Sequence, residues 1–323
     1  MRNLVKCLKF GVAASILVLA AGKTSAQEIT LGYVVGTLAN QYNVATAKGF
    51  EDAAKEAGVQ TVVLDPQGSV EKQTNAIDQL LAQRVDGIAF LPLDSILAQT
   101  YVDKIDNAGI PAISIAGQVG DPTKVDLRDV YRRLVALVST DDVRAGEVAG
   151  ELAATMLPSG RKAKIAVVEG APGYAVLELR SQGFRNALDA AAANYEIVAS
   201  EPTDWTPEKG EEVCKNFLAT TSDIDLIFSQ ADDMAIGCAR AINAAHSSAK
   251  LVATGGGSKL GNDAIAAGDI DASVCTQPAF LGRLMFQELF KAATKKDTLK
   301  ARFVTYDLTP ITKDNLAECP PEW

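Results

Sequence analysis

Residues 29–64, ITLGYVVGTLANQYNVATAKGFEDAAKEAGVQTVVL, decide the fold of this chain. The short β-branched runs Ile29–Val35 and Thr61–Leu64 predict two strands that are buried on both faces. Between them, Gln41–Ala57 predicts an amphipathic helix, whose inward face carries apolar residues at helical spacing: Val44, Ala47, Phe50 and Ala54. A strand, a helix and a second strand in this order form a βαβ unit, which predicts a parallel sheet with a right-handed crossover.

The same alternation continues through the rest of the chain. Further strands are predicted in seven apolar runs: Gly87–Leu91, Ala112–Ile115, Ala163–Glu169, Glu196–Pro202, Leu226–Ser229, Lys250–Thr254 and Ala272–Thr276. Further helices are predicted in eight segments: Val70–Gln83, Ile96–Ala108, Ala145–Leu157, Leu177–Ala193, Pro207–Thr220, Asp233–Ala245, Gly261–Ala267 and Phe280–Thr294. The charged segment Asp121–Arg133 interrupts the alternation and predicts a surface loop. The chain therefore divides into two α/β halves, each with its own doubly wound parallel sheet.

The connection between the two halves contains no low-complexity linker, which favours a hinge over a flexible tether. Ligands of open α/β sheets bind outside the carboxyl ends of the strands. We therefore expect a ligand site in the crevice where the carboxyl ends of the two sheets face each other.

Residues 1–26 have the three-part layout of a secretory signal peptide. Arg2, Lys6 and Lys9 form a basic start, Phe10–Ala21 is the apolar region, and Thr24–Ala26 ends in a small residue at the cleavage position. The alternative is a membrane anchor, but an apolar run of about 12 residues is too short to cross a hydrocarbon core of ~30 Å. We therefore expect an exported chain.

The length and charge of the chain after residue 26 limit the number of domains and the kinds of partner that are expected. These 297 residues are enough for about two domains. Residues 1–26 hold four of the 31 basic residues and none of the 40 acidic ones, so the mature chain carries 27 basic and 40 acidic residues, a net charge of −13. An acidic surface repels phosphate backbones, which argues against nucleic-acid binding.

Four cysteines remain after residue 26: Cys214, Cys238, Cys275 and Cys319. In an oxidising compartment an even number is compatible with two disulfides, and four cysteines allow three connectivities. The alternative is that some of them are buried free thiols. None has the CxxC spacing of a redox or zinc site.

The chain carries almost no residues for catalysis. Its one histidine, His246, lies near the end of a predicted helix, where the helix dipole favours a cation, and no GxSxG elbow accompanies it. Gly255–Gly257 lacks the spacing of a phosphate loop and predicts a tight turn instead. The pairs Asp141–Asp142 and Asp232–Asp233 have the residue types of a glycoside hydrolase, but each precedes a helix, which favours N-terminal capping. No cluster of histidine, cysteine and carboxylate residues has the spacing of a metal site.

Seven segments, taken in their order and spacing, resemble a known family. They are Gly32–Tyr42, Val85–Asp94, Ala108–Ile115, Val138–Gly146, Arg180–Phe184, Ile227–Gly237 and Thr276–Gly282. Together they resemble the periplasmic sugar-binding proteins of the ribose-binding type, which are the solute receptors of ABC importers. The likeness covers essentially all of the chain after residue 26.

The resemblance implies the type I periplasmic binding protein fold, an α/β fold of two Rossmann-like lobes with doubly wound parallel sheets. Three strand crossings would form the hinge, near Ser139–Asp142, Thr276–Pro278 and Thr305. The first lobe would comprise residues 27–139 and 277–305, and the second lobe residues 140–276 and 306–323.

The implied lobes also favour one pattern of disulfides. Cys214 and Cys238 would lie on successive helices of the second lobe. Cys275, on the last predicted strand of that lobe, would reach Cys319 in the following segment, provided that the Cα atoms lie within ~7 Å of each other.

The resemblance further implies a set of ligand-binding residues: Asn40, Tyr42, Asn43, Arg180, Trp205, Thr276 and Gln277. A sugar presents hydroxyls that need hydrogen-bond partners and C–H faces that stack on aromatic rings, and the arginine and the tryptophan match those two needs. Structural alternatives exist: a helix cap for Asn40, a core position for Tyr42, a surface charge for Arg180 and local packing for Trp205.

Four residues, at three places in the chain, depart from the polar residues of the family pattern. Ala116–Gly117 stands where many pentose and hexose binders have Asp-Arg, Ala231 where they have Asn, and Gly256 where they have Asp. Each lost hydrogen bond is worth ~0.5–1.5 kcal/mol, so ribose itself would bind weakly. We therefore expect a polyol, an amino or modified sugar, or a larger ligand that fills the space at these small residues.

The function implied is that of a periplasmic receptor, which binds a sugar or sugar-like polyol and delivers it to the membrane permease of an ABC importer. It would act as a monomer, without catalysis, cofactor, metal ion or nucleic acid. A chemotaxis or sensor-kinase receptor would use the same fold. The alternatives from other classes are an exported carbohydrate-active hydrolase that uses cleft carboxylates, and the effector domain of a transcription repressor. The export signal and the lack of a basic helix-turn-helix argue against the repressor.

Overall fold

The computed structural model describes Met1, residues 28–296 and residues 299–323, so the predicted export signal, apart from Met1, lies outside it. The described strands are β1 (Thr30–Val34), β2 (Gln60–Leu64), β3 (Gly87–Phe90), β4 (Ala112–Ile115), β5 (Ala136–Val138), β6 (Ala163–Glu169), β7 (Tyr195–Pro202), β8 (Leu226–Ser229), β9 (Lys250–Ala253), β10 (Ala272–Val274), β11 (Arg302–Val304) and β12 (Pro310–Thr312). The described helices are α1 (Gln41–Ala57), α2 (Val70–Gln83), α3 (Ala98–Asn107), α4 (Asp142–Ala154), α5 (Val176–Ala190), α6 (Pro207–Thr220), α7 (Asp232–Ala244), α8 (Lys259–Ala267) and α9 (Pro278–Ala293). Across 28–296 and 299–323, no helix combines the length and the apolar character needed to cross a bilayer.

The strands form two separate sheets of six strands each. The first sheet has the order β11-β5-β4-β3-β1-β2 with every pair parallel, and the second has the order β12-β10-β9-β8-β6-β7. The predicted fold of two doubly wound α/β lobes is therefore confirmed. One strand departs from a purely parallel arrangement, since the edge strand β12 runs antiparallel to β10.

The predicted helices and strands are all present, with ends that differ by at most three residues. The predicted surface loop Asp121–Arg133 contains neither helix nor strand. Three strands were not predicted, namely β5, β11 and β12, and each is only three residues long. A run of three residues is too short to show a period of two, so these strands depend on their neighbours for their conformation.

Three chain crossings connect the lobes, as the fold prediction requires. They run from β5 to α4, from β10 to α9 and from β11 to β12. The hydroxyl of Tyr306 contacts the other two crossings, since it lies 3.1 Å from Thr140 Oγ1 and accepts a hydrogen bond from Gln277 N at 2.9 Å. Burial raises the pKa of Tyr306 to about 12, so this phenol stays protonated at physiological pH. One side chain thus joins all three crossings of the hinge.

Pairs of glycines bring sequential helices into close contact. A Cβ atom on Gly146 of α4 would lie 2.1 Å from Arg180 O of α5, and one on Gly183 of α5 would lie 1.9 Å from Val143 O of α4. The pairs α1–α9 and α6–α7 use the same arrangement, at Gly49 with Gly282 and at Gly210 with Gly237. Because no side chain separates the backbones, each pair packs at a spacing that larger residues exclude. In α4 and α5 this contact brings Asp142 beside Arg180.

Both favoured disulfides are confirmed. Cys214 of α6 is bonded to Cys238 of α7 with a Cα–Cα distance of 5.1 Å. Cys275 is bonded to Cys319 with a Cα–Cα distance of 5.9 Å. Both bridges belong to the second lobe, where the residues that they join are fully or almost fully buried.

Candidate functional site

A cavity of about 410 Å³ lies between the two lobes, at the carboxyl ends of both sheets. Its walls are formed by residues that follow strands of each sheet. From the first lobe these include Thr37, Asn40, Tyr42, Asn43, Leu91 and Ala116, and from the second lobe Tyr174, Val176, Arg180, Asp204, Trp205, Ala231, Asp232, Asp233 and Gly255, together with Trp323. The topology therefore brings side chains from both halves of the chain together at one cavity.

Arg180 of α5 is the cation of this cavity. Its Nε donates a hydrogen bond to Asp142 Oδ1 at 2.9 Å, and its Nη1 donates to the carbonyl oxygen of Gln230. The Arg180 and Asp142 side chains are only 12% and 5% exposed. Burial raises the pKa of the Asp142 carboxyl, and the guanidinium opposes that rise. The guanidinium plane is therefore fixed before any ligand arrives.

Hydrogen bonds of the Gln230 side chain fix the carbonyl group that accepts from Arg180. The side-chain amide donates to Leu177 O at 2.8 Å and to Ser181 Oγ at 2.9 Å, and its Oε1 accepts from Gly170 N at 3.3 Å. Gln230 is fully buried. The carbonyl that accepts from Arg180 thus belongs to a residue locked by its own side chain, which preorganises the arginine.

Four aromatic rings line the cavity as two edge-to-face pairs. Tyr174 and Trp205 have ring centroids 5.8 Å apart at 86°, and Tyr42 and Trp323 have centroids 5.9 Å apart at 85°. The indole of Trp205 covers Gly170, where a Cβ atom would lie 1.9 Å from the ring. Trp205 adopts a left-handed backbone, with φ of 71°. Tyr174 and Trp323 were not singled out from the sequence.

The two asparagines of the first lobe have structural roles as well as a place in the cavity wall. Asn40 is the N-cap of α1, and its Oδ1 accepts from Asn43 N at 3.3 Å. Asn43 is buried, and its Nδ2 donates to Thr37 O at 2.9 Å. Both therefore fix the loop between β1 and α1 while facing the cavity. The adjacent Tyr42 has its pKa raised by burial.

Thr276 and Gln277 lie at the second crossing and are not among the residues that line the cavity. Thr276 is buried, and its hydroxyl donates to Gly256 O at 2.9 Å. Gln277 donates through its backbone N–H to Tyr306. Five of the seven residues that the resemblance implied thus converge on the cavity, and these two contact the turn and the hinge beside it.

The aspartates of the two predicted capping pairs behave differently. Asp141 is the N-cap of α4, and its Oδ1 accepts from Arg144 N at 3.1 Å, so capping is confirmed there. Asp232 is not a cap, which corrects the interpretation from the sequence, because Ala231 occupies the N-cap position of α7. Instead, Asp232 Oδ1 accepts from Ser273 Oγ at 2.6 Å, while Oδ2 packs against Gly261 without a hydrogen-bond partner. An aspartate just before a helix usually caps it. Here Asp232 is the first residue of α7, one position after the N-cap.

Burial raises the pKa of Asp232 from 3.8 to about 7, and the hydrogen bond from Ser273 only partly opposes that rise. A carboxyl whose pKa is raised on folding destabilises the folded state once the unfolded chain ionises, so stability falls as the pH rises from about 4 to about 7. We therefore expect Asp232→Asn to raise the free energy of unfolding at pH 8, by up to ~4 kcal/mol, with the gain vanishing near pH 4. Urea unfolding of both proteins at pH 4, 6 and 8 measures this difference.

The exposed Asp263 on α8 supplies a matched control, since Asp263→Asn changes the same functional group at the surface. That variant should show no comparable gain at pH 8. Equal stability of Asp232→Asn and the unsubstituted protein at pH 8 would contradict the expectation.

Across 28–296 and 299–323, no group of three or more histidine, cysteine, aspartate or glutamate residues is placed to hold a metal ion. The lining of the cavity combines one fixed cation with aspartates, amide groups and aromatic faces, which suit a hydroxyl-bearing molecule.

Comparisons with known proteins agree with this chemistry. Residues 31–297 match the family described as periplasmic binding protein domain. The chain is 33% identical over 260 residues to the ribose import binding protein of Bacillus subtilis, a match that covers 80% of this chain and 79% of that protein. It is 29% identical over 255 residues to the D-allose-binding periplasmic protein of Escherichia coli, covering 77% and 79%. A solved structure from Mycobacterium smegmatis in complex with β-D-fucofuranose superimposes with a TM-score of 0.79 and 28% identity, covering 90% of this chain and 93% of that one.

Proposed function

The chain belongs to the periplasmic binding protein family, and from this premise we propose that it binds a sugar or sugar-like polyol between its lobes and delivers it to the membrane permease of an ABC importer. The observation that carries the proposal is the interlobe cavity, in which one fixed arginine and four aromatic rings converge. Relatives in this family are binding proteins rather than enzymes, and both the family description and the name of the Escherichia coli relative contain the word periplasmic.

The chemistry of the cavity matches a carbohydrate. Nε and Nη1 of Arg180 donate hydrogen bonds to Asp142 and to the carbonyl oxygen of Gln230. The Arg180 side chain also faces the cavity, so its Nη2 suits donation to a ring oxygen or a hydroxyl oxygen of the ligand. The faces of Trp205 and Tyr42 suit the C–H faces of a sugar ring. Asn40 and Asn43 supply amide groups at the first-lobe wall. Thr276 and Gln277 act on the ligand indirectly, through the turn and the hinge that they hold.

Two of the small residues at which the chain departs from the family pattern, Ala116 and Ala231, line the cavity. The other two, Gly117 and Gly256, do not line it, since they face Pro92 and Ile311 respectively. The two alanines support the expectation of a ligand that differs from ribose in size or substitution. The named ligands of relatives, ribose and D-allose, and the β-D-fucofuranose of the M. smegmatis structure keep the proposal within carbohydrates.

Contacts between the lobes couple binding to closure. Ala175 and Leu179 of the second lobe belong to the same buried apolar cluster as Val34 and Phe90 of the first sheet. A ligand that fills the cavity adds contacts to both walls, and these contacts exist only when the lobes are closed. It therefore shifts the protein toward the closed arrangement that a permease would recognise.

The hydrolase alternative is not supported. A glycoside hydrolase needs two carboxyl groups that face one cleft. Asp141 caps a helix, Asp142 is paired with Arg180, and Asp232 is directed at Ser273 and Gly261. Each of these three carboxylates is engaged by a partner inside the protein, and the relatives are binding proteins rather than hydrolases.

Three further features belong to the proposal. Residues 1–26 act as a cleavable export signal, which agrees with a periplasmic location. The lobes comprise residues 27–139 with 277–305 and residues 140–276 with 306–323. The receptor acts as a monomer.

A thermal-shift screen tests this function. The probes are D-ribose, D-allose, D-fucose, myo-inositol and D-glucosamine, each at 1 mM with the purified mature chain. A probe present at 1,000-fold excess over its Kd stabilises the folded state by ~4 kcal/mol, so at least one should raise Tm by several degrees. Chromatography of the recovered probe should return it unchanged. Conversion of a probe to product, or no shift with any carbohydrate, would contradict the proposal.

A further inference from the structure

Residues 313–323, called the tail below, follow β12 and run along the second lobe toward the cleft. Cys319, which is fully buried, is bonded to Cys275 immediately after β10. Its carbonyl oxygen accepts from Asn262 Nδ2 of α8 at 2.8 Å. The tail is therefore fixed covalently and by a hydrogen bond four residues before Trp323.

Beyond Cys319 the backbone of the tail is hydrogen-bonded to the turn before α8 and to the first residue of that helix. Glu322 N donates to Gly257 O at 3.1 Å, and Trp323 O accepts from Lys259 N at 2.7 Å. Both bonds use backbone atoms, so substitution of either side chain leaves them in place. The backbone of Trp323 thus has a defined position on the second lobe.

The side chain of Glu322 extends to the first lobe. Its Oε2 accepts from Ala279 N at 2.8 Å, in the first turn of α9. The N-cap residue of α9, Gln277, makes no side-chain capping bond, so the carboxylate of Glu322 satisfies a donor that the helix leaves free. Burial raises the pKa of Glu322, and backbone hydrogen bonds from Ala279 and Phe280 oppose that rise. The tail therefore contacts both lobes beside the second crossing.

This path places the indole of Trp323 in the cavity wall. The ring is half-buried and meets the edge of Tyr42, which lies on α1 of the first lobe. A residue that is packed only for stability would be expected inside one lobe. Trp323 instead presents its ring to the cavity between the lobes, and its pair with Tyr42 has nearly the same interplanar angle as the Tyr174–Trp205 pair.

We propose that Trp323 is a ligand-contacting, specificity-determining residue of the cleft and that the Cys275–Cys319 disulfide positions it. This inference rests on the proposed function, since it assigns one wall of the same cavity. The indole supplies a face for the C–H groups of a sugar and limits the size of the ligand on that side. The disulfide keeps the tail from leaving the wall, which lowers the entropy cost of presenting the ring.

Calorimetric titration of Trp323→Ala with the five carbohydrates of the screen tests the contact. The Kd of the probe that binds the unsubstituted protein should rise about tenfold or more, and the ratios of Kd among the probes should change. Trp323→Phe, which keeps a ring, should stay within about threefold of the unsubstituted protein. Leu260→Ala supplies a neutral control, because Leu260 lies on α8 with its side chain 66% exposed and outside the cavity lining.

The two disulfides of the second lobe allow a matched test of positioning. The double variant Cys275→Ala with Cys319→Ala should weaken binding, whereas Cys214→Ala with Cys238→Ala, which removes a bridge between α6 and α7, should not. Trp205→Phe leaves Trp323 as the one tryptophan of the chain. In that background, the first pair should shift the fluorescence of Trp323 to longer wavelength and the second pair should not, and this readout needs no ligand.

The outcomes separate the two claims. If a probe binds the unsubstituted protein and Trp323→Ala keeps every Kd within about twofold, the inference is overturned while the receptor function stands. If loss of Cys275–Cys319 changes neither the Kd nor the emission of Trp323, the positioning role is overturned. If no probe binds the unsubstituted protein, the proposed function fails first and the inference fails with it.

Discussion

Replacing Arg180 with methionine is expected to weaken carbohydrate binding by at least about tenfold and to lower the free energy of unfolding by about 3–5 kcal/mol. The ligand would lose a charged donor worth ~1.5–3 kcal/mol, which is about 10- to 150-fold in Kd. Stability would fall because Asp142, only 5% exposed, would lose the cation that opposes the rise of its pKa on burial. Calorimetric titration measures the first effect, and urea unfolding at pH 7 measures the second.

A double variant separates these two effects. Arg180→Met combined with Asp142→Leu removes both charges, and replacing a whole buried ion pair by apolar residues is commonly neutral or stabilising. We expect the free energy of unfolding of the double variant to be close to that of the unsubstituted protein, and its binding to stay as weak as that of Arg180→Met. Recovery of binding in the double variant, or normal binding by Arg180→Met, would mean that the guanidinium does not contact the ligand.

Replacing Trp205 with alanine is expected to weaken carbohydrate binding by at least ~2 kcal/mol, or about 30-fold in Kd. The indole packs on Gly170 and against the edge of Tyr174, so its loss opens the cavity and removes the ring face on the second lobe. Trp205→Phe should keep most of the affinity, since a smaller ring still covers Gly170. Titration of the three proteins with one probe gives the comparison.

The backbone of Trp205 offers a control for strain. Its φ of 71° is a conformation that glycine adopts readily and alanine does not. Trp205→Gly should therefore bind the ligand as weakly as Trp205→Ala does. It should unfold at a higher urea concentration than Trp205→Ala, because glycine relieves the backbone strain. Equal affinity of Trp205→Ala and the unsubstituted protein would show that the indole only packs locally.

Much of the architecture follows from patterns that are local in the chain. The helix predicted at Gln41–Ala57 matches α1 at both ends, because Asn40 caps its start and Gly58, in a left-handed conformation, ends it. The strands β5, β11 and β12 could not be predicted, because they lack such local signals. Each has three residues and pairs with a strand that is remote in sequence or lies across a long loop, so no local period marks it.

The residues of the candidate site also differ in whether they could be predicted from the sequence. Arg180 and Trp205 follow from the resemblance and line the cavity. Trp323 could not be predicted, because its position depends on a disulfide, a hydrogen bond to Lys259 and the approach of α1 from the other lobe. The role of Asp232 was misjudged because a carboxylate before a helix usually caps it, and only the fold reveals Ser273 beside it.

The strand β11 has a consequence for how the protein can be assembled. It closes the edge of the first sheet beside β5, and α9, which packs on α1, precedes it in the chain. The chain is synthesised from its amino end, so the lobe that starts first must wait for residues 278–304 to emerge before its outermost strand and a covering helix exist. A nascent chain that ends near residue 139 thus exposes an unpaired sheet edge and an uncovered apolar face, both of which invite chaperones or aggregation.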